Sequence, residues 1–194
     1  MNQSAFKGSF SISCLCLIIA FIPFNIISGQ TAREEAQKLE RPKDCGVSRY
    51  DDFKNSSFNL LADILKTDLN YEKLKIDIGG YLSGGKDTTV SGVNTDVNKL
   101  KAILKAVKAM DDRVKKLVAD GNELLQNAAD IKPVTAANQA SFNTKTSMKA
   151  VELSDKLMHE ITDTVSRDIE VLVKKITDLG GTVEEEVKEI EEPK

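Results

Sequence analysis

The sequence predicts an all-α protein: an antiparallel bundle of three main amphipathic helices, preceded by a cleaved signal and followed by an acidic tail. Three long segments repeat apolar residues every three or four positions, which is the period of a helix buried on one face. The composition agrees, because aromatic residues are 5% of the chain and tryptophan is absent. At 194 residues the chain is one domain's length. We divide it into a signal (1–29), a polar arm (30–56), the bundle (57–180) and an acidic tail (181–194).

The N-terminus has the pattern of a secretory signal. Lys7 is the only charged residue among the first 32, and the run from Ile12 to Phe24 is almost continuously apolar. This run is shorter than the ~20 residues of a membrane span, and a small residue, Gly29, precedes a cut at Gln30. We therefore predict a secreted mature chain, Gln30–Lys194, with no integral membrane span after cleavage. A retained signal anchor is the alternative.

Two features bear on the compartment. Cys14 and Cys16 lie inside the signal, which leaves Cys45 as the cysteine of the mature chain. An intermolecular disulfide, and hence a homodimer, is one reading of such a residue; a buried thiol is the other. We do not expect burial, because the surrounding stretch is polar. Asn55 begins an N-glycosylation sequon, which predicts a glycoprotein if the host glycosylates.

The first helices precede the Gly/Ser-rich connection at residues 79–94. Residues 31–42 are charged and read as a mobile arm or a fourth helix. The stripe that starts at Phe58 predicts a helix over 57–78, bent or broken near Asp68–Asn70 and ended by Gly79-Gly80.

The stretch 95–130 reads as one long helix around which the others are organised. Thr95 and Asp96 offer N-cap oxygens, and Pro133 prevents continuation. The apolar stripe slips by a short step between Val107 and Met110. Gly121 offers space for another backbone. A third helix over 135–179 forms an antiparallel hairpin with it, as in coiled coils. The expected core includes Phe58, Leu61, Leu65, Leu104, Val114, Leu117, Val165 and Leu172.

Enzymatic chemistry has little support. The loop Ser83–Thr88 resembles the S-G-G-x-D-[ST] phosphate loop of ATP-dependent adenylating enzymes, but the residues before it are too polar for the buried strand that loop requires. His159 is the only histidine, and no third group orients a pair with Cys45. We therefore expect no enzyme, no cofactor and no metal site.

The long helix carries a basic polar face, while glutamates crowd the C-terminal tail. Solvation, pairing with acidic residues such as the tail, and contact with a membrane surface are the three readings of this face. Nucleic acid is not expected, because aromatic residues for base stacking do not interleave with the basic ones. The basic residues are Lys99, Lys101, Lys105, Lys108, Arg113, Lys115 and Lys116.

The signal, the Gly-rich link and the stripes over about 70–176 together resemble the fungal hydrophobic-surface-binding, or cell-wall galactomannoprotein, family. The resemblance implies a non-enzymatic, lipid-binding helical protein whose partner is an apolar small molecule or a hydrophobic surface. Irregular packing at the stripe slip suggests a ligand site there, because methionine adapts to varied ligands. The alternative is a module that binds a protein partner through helix–helix contacts. The expected ligand-lining residues are Val107, Met110, Val114, Val151, Met158 and Ile161.

Overall fold

Five α-helices and one short 3₁₀ helix make up the part of the chain that the structure describes. This computed structural model describes residues 26–84 and 88–183, with side chains from Ala32 onward. No strand occurs in these ranges, so the all-α class is confirmed. The predicted signal core and most of the acidic tail lie outside the described residues. The helices are α1 Ile26–Lys38, α2 Ser48–Ser83, α3 Val90–Lys108, α4 Asp111–Asn127 and α5 Val134–Asp178, with the 3₁₀ turn Ala128–Asp130 before α5.

The central element is α5 rather than the stretch 95–130. It has 45 residues, which is about 67 Å at the α-helical rise. Helices α1, α2, α3 and α4 all pack against it. Its stripe supplies Val151, Val165 and Leu172, each at most 2% exposed. The predicted helix 135–179 therefore matches α5 to within one residue at each end.

Helices α3 and α4 run antiparallel to α5. At one end, Gly181 after α5 lies against Val90 at the start of α3. At the other end, Gly121 of α4 lies against Met148 of α5.

Three tyrosines of α2 each bind a different neighbouring helix. The Tyr50 hydroxyl donates to the Leu124 carbonyl at the end of α4, 2.9 Å away. Tyr71 donates to Asp168 of α5 at 2.7 Å, and Tyr81 donates to Asp96 of α3 at 2.9 Å. These pairs place α2 antiparallel to α3 and α4 and parallel to α5.

Helix α2 is longer than the predicted 57–78. It begins at Ser48, inside the predicted polar arm, and continues through Gly79-Gly80 to Ser83. A glycine in a helix interior costs about 1 kcal/mol, but Ile78 and Tyr81 are buried on either side of this pair. The predicted break at Asp68–Asn70 is also wrong, because α2 is continuous there and Asp68 is buried with a hydrogen bond from Arg33 of α1. Gly84, with φ of 72°, ends the helix.

The predicted single helix 95–130 is wrong at two places. It begins earlier, at Val90, where the Thr89 side chain accepts a hydrogen bond from the Gly92 amide. Thr95 is inside the helix and donates to the Ser91 carbonyl. The helix then breaks between Lys108 and Asp111. This break coincides with the slip of the apolar stripe, so the slip marked a helix end.

The core is mainly aliphatic, and α2 adds five buried aromatic residues to it: Tyr50, Phe53, Phe58, Tyr71 and Tyr81. Leu65 and Leu104 are partly buried and pack against the core cluster. Gly121 approaches side chains rather than a backbone, since a Cβ there would lie 2.8 Å from Phe53 Cζ. The six other expected core residues are buried: Phe58, Leu61, Val114, Leu117, Val165 and Leu172.

Candidate functional site

An open groove lies between α4 and α5, with a volume of about 500 Å³. Two apolar residues of α4 form one side of it, and a run of α5 forms the other. The volume falls in the range of small-molecule sites, which combine an apolar lining with a few polar groups. The lining residues are Val114, Val118, Lys145, Met148, Lys149, Val151, Glu152 and Asp155.

The floor of the groove is apolar. Val114 and Val151 are buried, whereas Val118, one turn after Val114, is 43% exposed. Met148 is partly buried and packs against the core. The spacing of four residues on α4 and three on α5 places each pair on one side of its helix. The groove therefore exposes apolar surface beside residues that belong to the core.

The rim is charged. Lys149 Nζ lies 3.4 Å from Glu152 and 3.5 Å from Glu35 of α1. A hydrogen bond from Lys156 to Glu152 and the charge of Lys149 lower the pKa of Glu152. Lys145 is exposed and has no ion pair among residues 32–84 and 88–183. It is therefore the rim cation that can accept an anionic group of a ligand.

A half-buried charge cluster holds α1 in place near this rim. Arg33 donates to Asp68 at 2.6 Å and to Glu72 at 2.8 Å. Burial raises the pKa of Asp68, although the Arg33 guanidinium opposes the shift. For Glu72, burial is outweighed by hydrogen bonds from Arg33 and Lys75, which lower the pKa.

The structure places the predicted ligand-lining residues in two environments. Val114 and Val151 line the groove, and their contact with a ligand stays a prediction. Val107, Met158 and Ile161 are at most 5% exposed and belong to the closed core. Their stripe could not separate core from groove, because both lie on the same apolar face.

Met110 is partly buried against the core. Gly121 lies against Met148 of the antiparallel helix α5. Met110 is eleven residues before Gly121, so it lies at about the level of residue 159, which is eleven residues after Met148. The groove lies about one turn further towards Pro133 than this level. The sequence did not indicate Val118 as a groove residue, because Val118 is outside the apolar stripe. It did not indicate Lys145, because the residues around Lys145 are polar.

Cys45 is partly buried against the core, contrary to the expectation of an exposed residue. Its amide donates to Asp51 at 2.8 Å, and burial raises the pKa of the thiol. His159 is exposed on α5, with Nε2 3.6 Å from Asp155, and no contact with Cys45 is found in the described residues. Asn55 lies within α2 and is partly exposed.

The remaining features bear on nucleotide binding, metal binding and membrane insertion. Ser83 ends α2 and Thr88 precedes α3, so helices flank the loop that resembles a phosphate loop; residues 85–87 lie outside the described residues. Within residues 26–84 and 88–183, no three histidine, cysteine, aspartate or glutamate residues are grouped to hold a metal ion. None of the helices in these ranges has the length and apolarity that crossing a membrane requires.

Comparison of the chain with protein-family models, with curated proteins and with solved structures found no match. The resemblance to fungal hydrophobic-surface-binding proteins therefore stays a prediction.

Proposed function

We propose that this chain is a secreted, non-enzymatic antiparallel helical bundle that binds an apolar ligand or surface in the α4–α5 groove. The observation that supports this best is Val118, an apolar side chain left 43% exposed beside the buried residues Val114 and Val151 of the groove floor. Burying apolar surface is favourable by about 25 cal/mol per Å², so an acyl chain laid against this floor gains free energy.

The rim suggests how such a ligand is oriented. An acyl chain contacts Val118 and Met148, and its polar end reaches the exposed ammonium of Lys145. An ion pair at this exposure contributes about 0–1 kcal/mol. Affinity therefore depends mainly on the floor, and the rim sets the orientation.

The test is a titration with a fluorescent fatty acid. Val118→Glu places a charge on the floor, and we expect it to weaken binding at least tenfold. Val171→Glu is the matched control, because Val171 is 41% exposed and lies on α5 outside the groove. Both sites are exposed, so helicity should be unchanged in both variants. Equal effects of the two substitutions would contradict the proposed site.

The second candidate is a protein-interaction module. Leu69 and Ile76 favour it, because they are 56% and 79% exposed and lie two turns apart on one side of α2. If the wild type shows no saturable uptake of an apolar probe, this candidate takes precedence. Ile76→Lys should then abolish self-association in sedimentation analysis.

A further inference from the structure

Three lysines of α3 lie on the same side of the helix as Asn94 and closer to its C-terminus. The steps from Asn94 through Lys101 and Lys105 to Lys108 are seven, four and three residues, which keep all four on one side of an α-helix. Lys105 and Lys108 are exposed, and Lys101 is partly exposed. We call Lys101, Lys105 and Lys108 the basic strip.

The basic strip differs from Lys99 and Arg113, which both have ion-pair partners. Lys99 pairs with Asp96 at 2.7 Å, and Arg113 pairs with Asp63 at 2.9 Å. In contrast, none of the three strip lysines has an ion pair with any residue of 32–84 or 88–183. The strip is thus a side of α3 with three cations whose partners lie outside these ranges or in solvent.

The end of the described chain leads to this strip. After α5, Gly180 adopts φ of 73°, and its amide donates to the Thr177 carbonyl, which turns the chain back. Gly181 then contacts Val90. One turn further along α3, Asn94 Nδ2 donates to the Thr182 carbonyl at 3.1 Å. The chain is therefore already running along α3 towards the lysines.

The next polar side chain on this side of α3 is that of Asn98. Asn98 follows Asn94 by one turn, and its Oδ1 is buried without a hydrogen-bond partner in the described part of the chain. A buried acceptor without a partner costs about 1–3 kcal/mol. A backbone amide of the chain that continues past Thr182 is a suitable donor.

We propose that the acidic tail, residues 184–194, lies along the basic strip of its own chain. Six of these eleven residues are glutamates, which complements the three lysines. From Asn94 to Lys108 is about 21 Å along the helix axis. Eleven residues span about 16 Å as a helix, which reaches the level of Lys105, and at most about 40 Å extended, which passes Lys108.

This arrangement makes the tail an intramolecular cover for a cationic surface. The tether at Thr182 keeps the glutamates at a high effective concentration near the strip. A chain that lacks the tail presents the three lysines to other anions. The inference does not depend on the α4–α5 groove, which is built from other residues.

Zero-length carbodiimide crosslinking tests the proposal on the full mature chain, because it joins carboxylates to amines in direct contact. We expect crosslinks from tail glutamates to Lys101, Lys105 and Lys108. Lys66, Lys73 and Lys116 are the controls, since they are also exposed and have no ion pair with described residues. In about 1 M salt, where the screening length is about 3 Å, strip crosslinks should fall to the control level.

A mixture of isotopically labelled and unlabelled chains separates contacts within one chain from contacts between two. Crosslinks that join labelled to unlabelled chains would show that the occupant is a second copy, and would overturn the proposal. Equal yields at strip and control lysines would overturn it as well.

Limited proteolysis with a glutamate-specific protease gives an independent measurement. Replacing the three strip lysines with glutamate should speed cleavage within the tail at least fivefold. The same replacement at Lys66, Lys73 and Lys116 changes the net charge equally and should leave the rate within twofold. If both triple variants are cleaved at the wild-type rate, the tail does not lie on the strip.

Discussion

Gly121 allows a test of packing in which two effects oppose each other. Gly121→Ala gains about 1 kcal/mol of helix propensity. The added Cβ would lie 2.8 Å from Phe53 Cζ and 2.9 Å from Met148 Cγ, whereas carbon atoms pack best at about 3.5–4.0 Å. Phe53 is 5% exposed and cannot move away, so part of the strain remains. Overpacking of this kind costs about 1–3 kcal/mol, and we expect a net destabilisation of about 0–2 kcal/mol.

Gly79→Ala is the matched control. Gly79 is also inside a helix, but a Cβ there meets nothing within 4 Å. This substitution should stabilise the protein by about 0.5–1 kcal/mol, since it gains propensity without strain. Urea denaturation of both variants measures the difference, which we expect to be about 0.5–3 kcal/mol. If Gly121→Ala stabilises the protein as much as Gly79→Ala, the close packing at Gly121 is refuted.

Three further predictions concern charge, the thiol and processing. Because burial raises the pKa of Asp68, the folded state holds that proton more tightly than the unfolded state, and stability should fall as pH rises from the ordinary aspartate pKa of about 3.9 through the raised value. Asp68→Asn should therefore flatten the dependence of the unfolding free energy on pH; an unchanged slope would refute this. Cys45 should react with iodoacetamide more slowly in the folded protein than in urea, with mass labelling as the measurement, because its thiol is partly buried with a raised pKa; equal rates would contradict this, and non-reducing electrophoresis would reveal a disulfide dimer instead. If the signal is cleaved as predicted, N-terminal sequencing of the protein should begin near Gln30, and retention of residues 1–29 would refute the signal prediction.

The sequence predicted helices better where one apolar stripe is long and regular. The helix at 135–179 was found almost to the residue because its stripe continues to Ile176, which is fully buried. The start of α2 was missed because Tyr50 and Phe53, both buried, alternate with charged residues in a short, polar-looking stretch. The low helix propensity of glycine wrongly predicted that the helix ends at Gly79-Gly80. Burial of Tyr81 outweighs this local cost of glycine.

The candidate site was predicted only in part, for a related reason. A stripe identifies residues that face a neighbouring helix, but it does not show where that contact is incomplete. Val114 and Val151 line the groove, while Met158 on the same stripe is closed into the core. The difference depends on the distance between α4 and α5 at each level, which no single helix encodes.

The three tyrosines of α2 also make the protein its own optical probe. The chain has three tyrosines and no tryptophan, so its near-ultraviolet signal comes from side chains that each report on a different contact of α2. Burial raises the pKa of Tyr50 and of Tyr71, and for Tyr71 the hydrogen bond to Asp168 adds to the shift. Alkaline titration followed by ultraviolet absorbance should thus show Tyr50 and Tyr71 ionising at higher pH in the folded protein than in urea. Single Tyr→Phe variants then assign each spectral change to the end or the middle of the molecule without any added label.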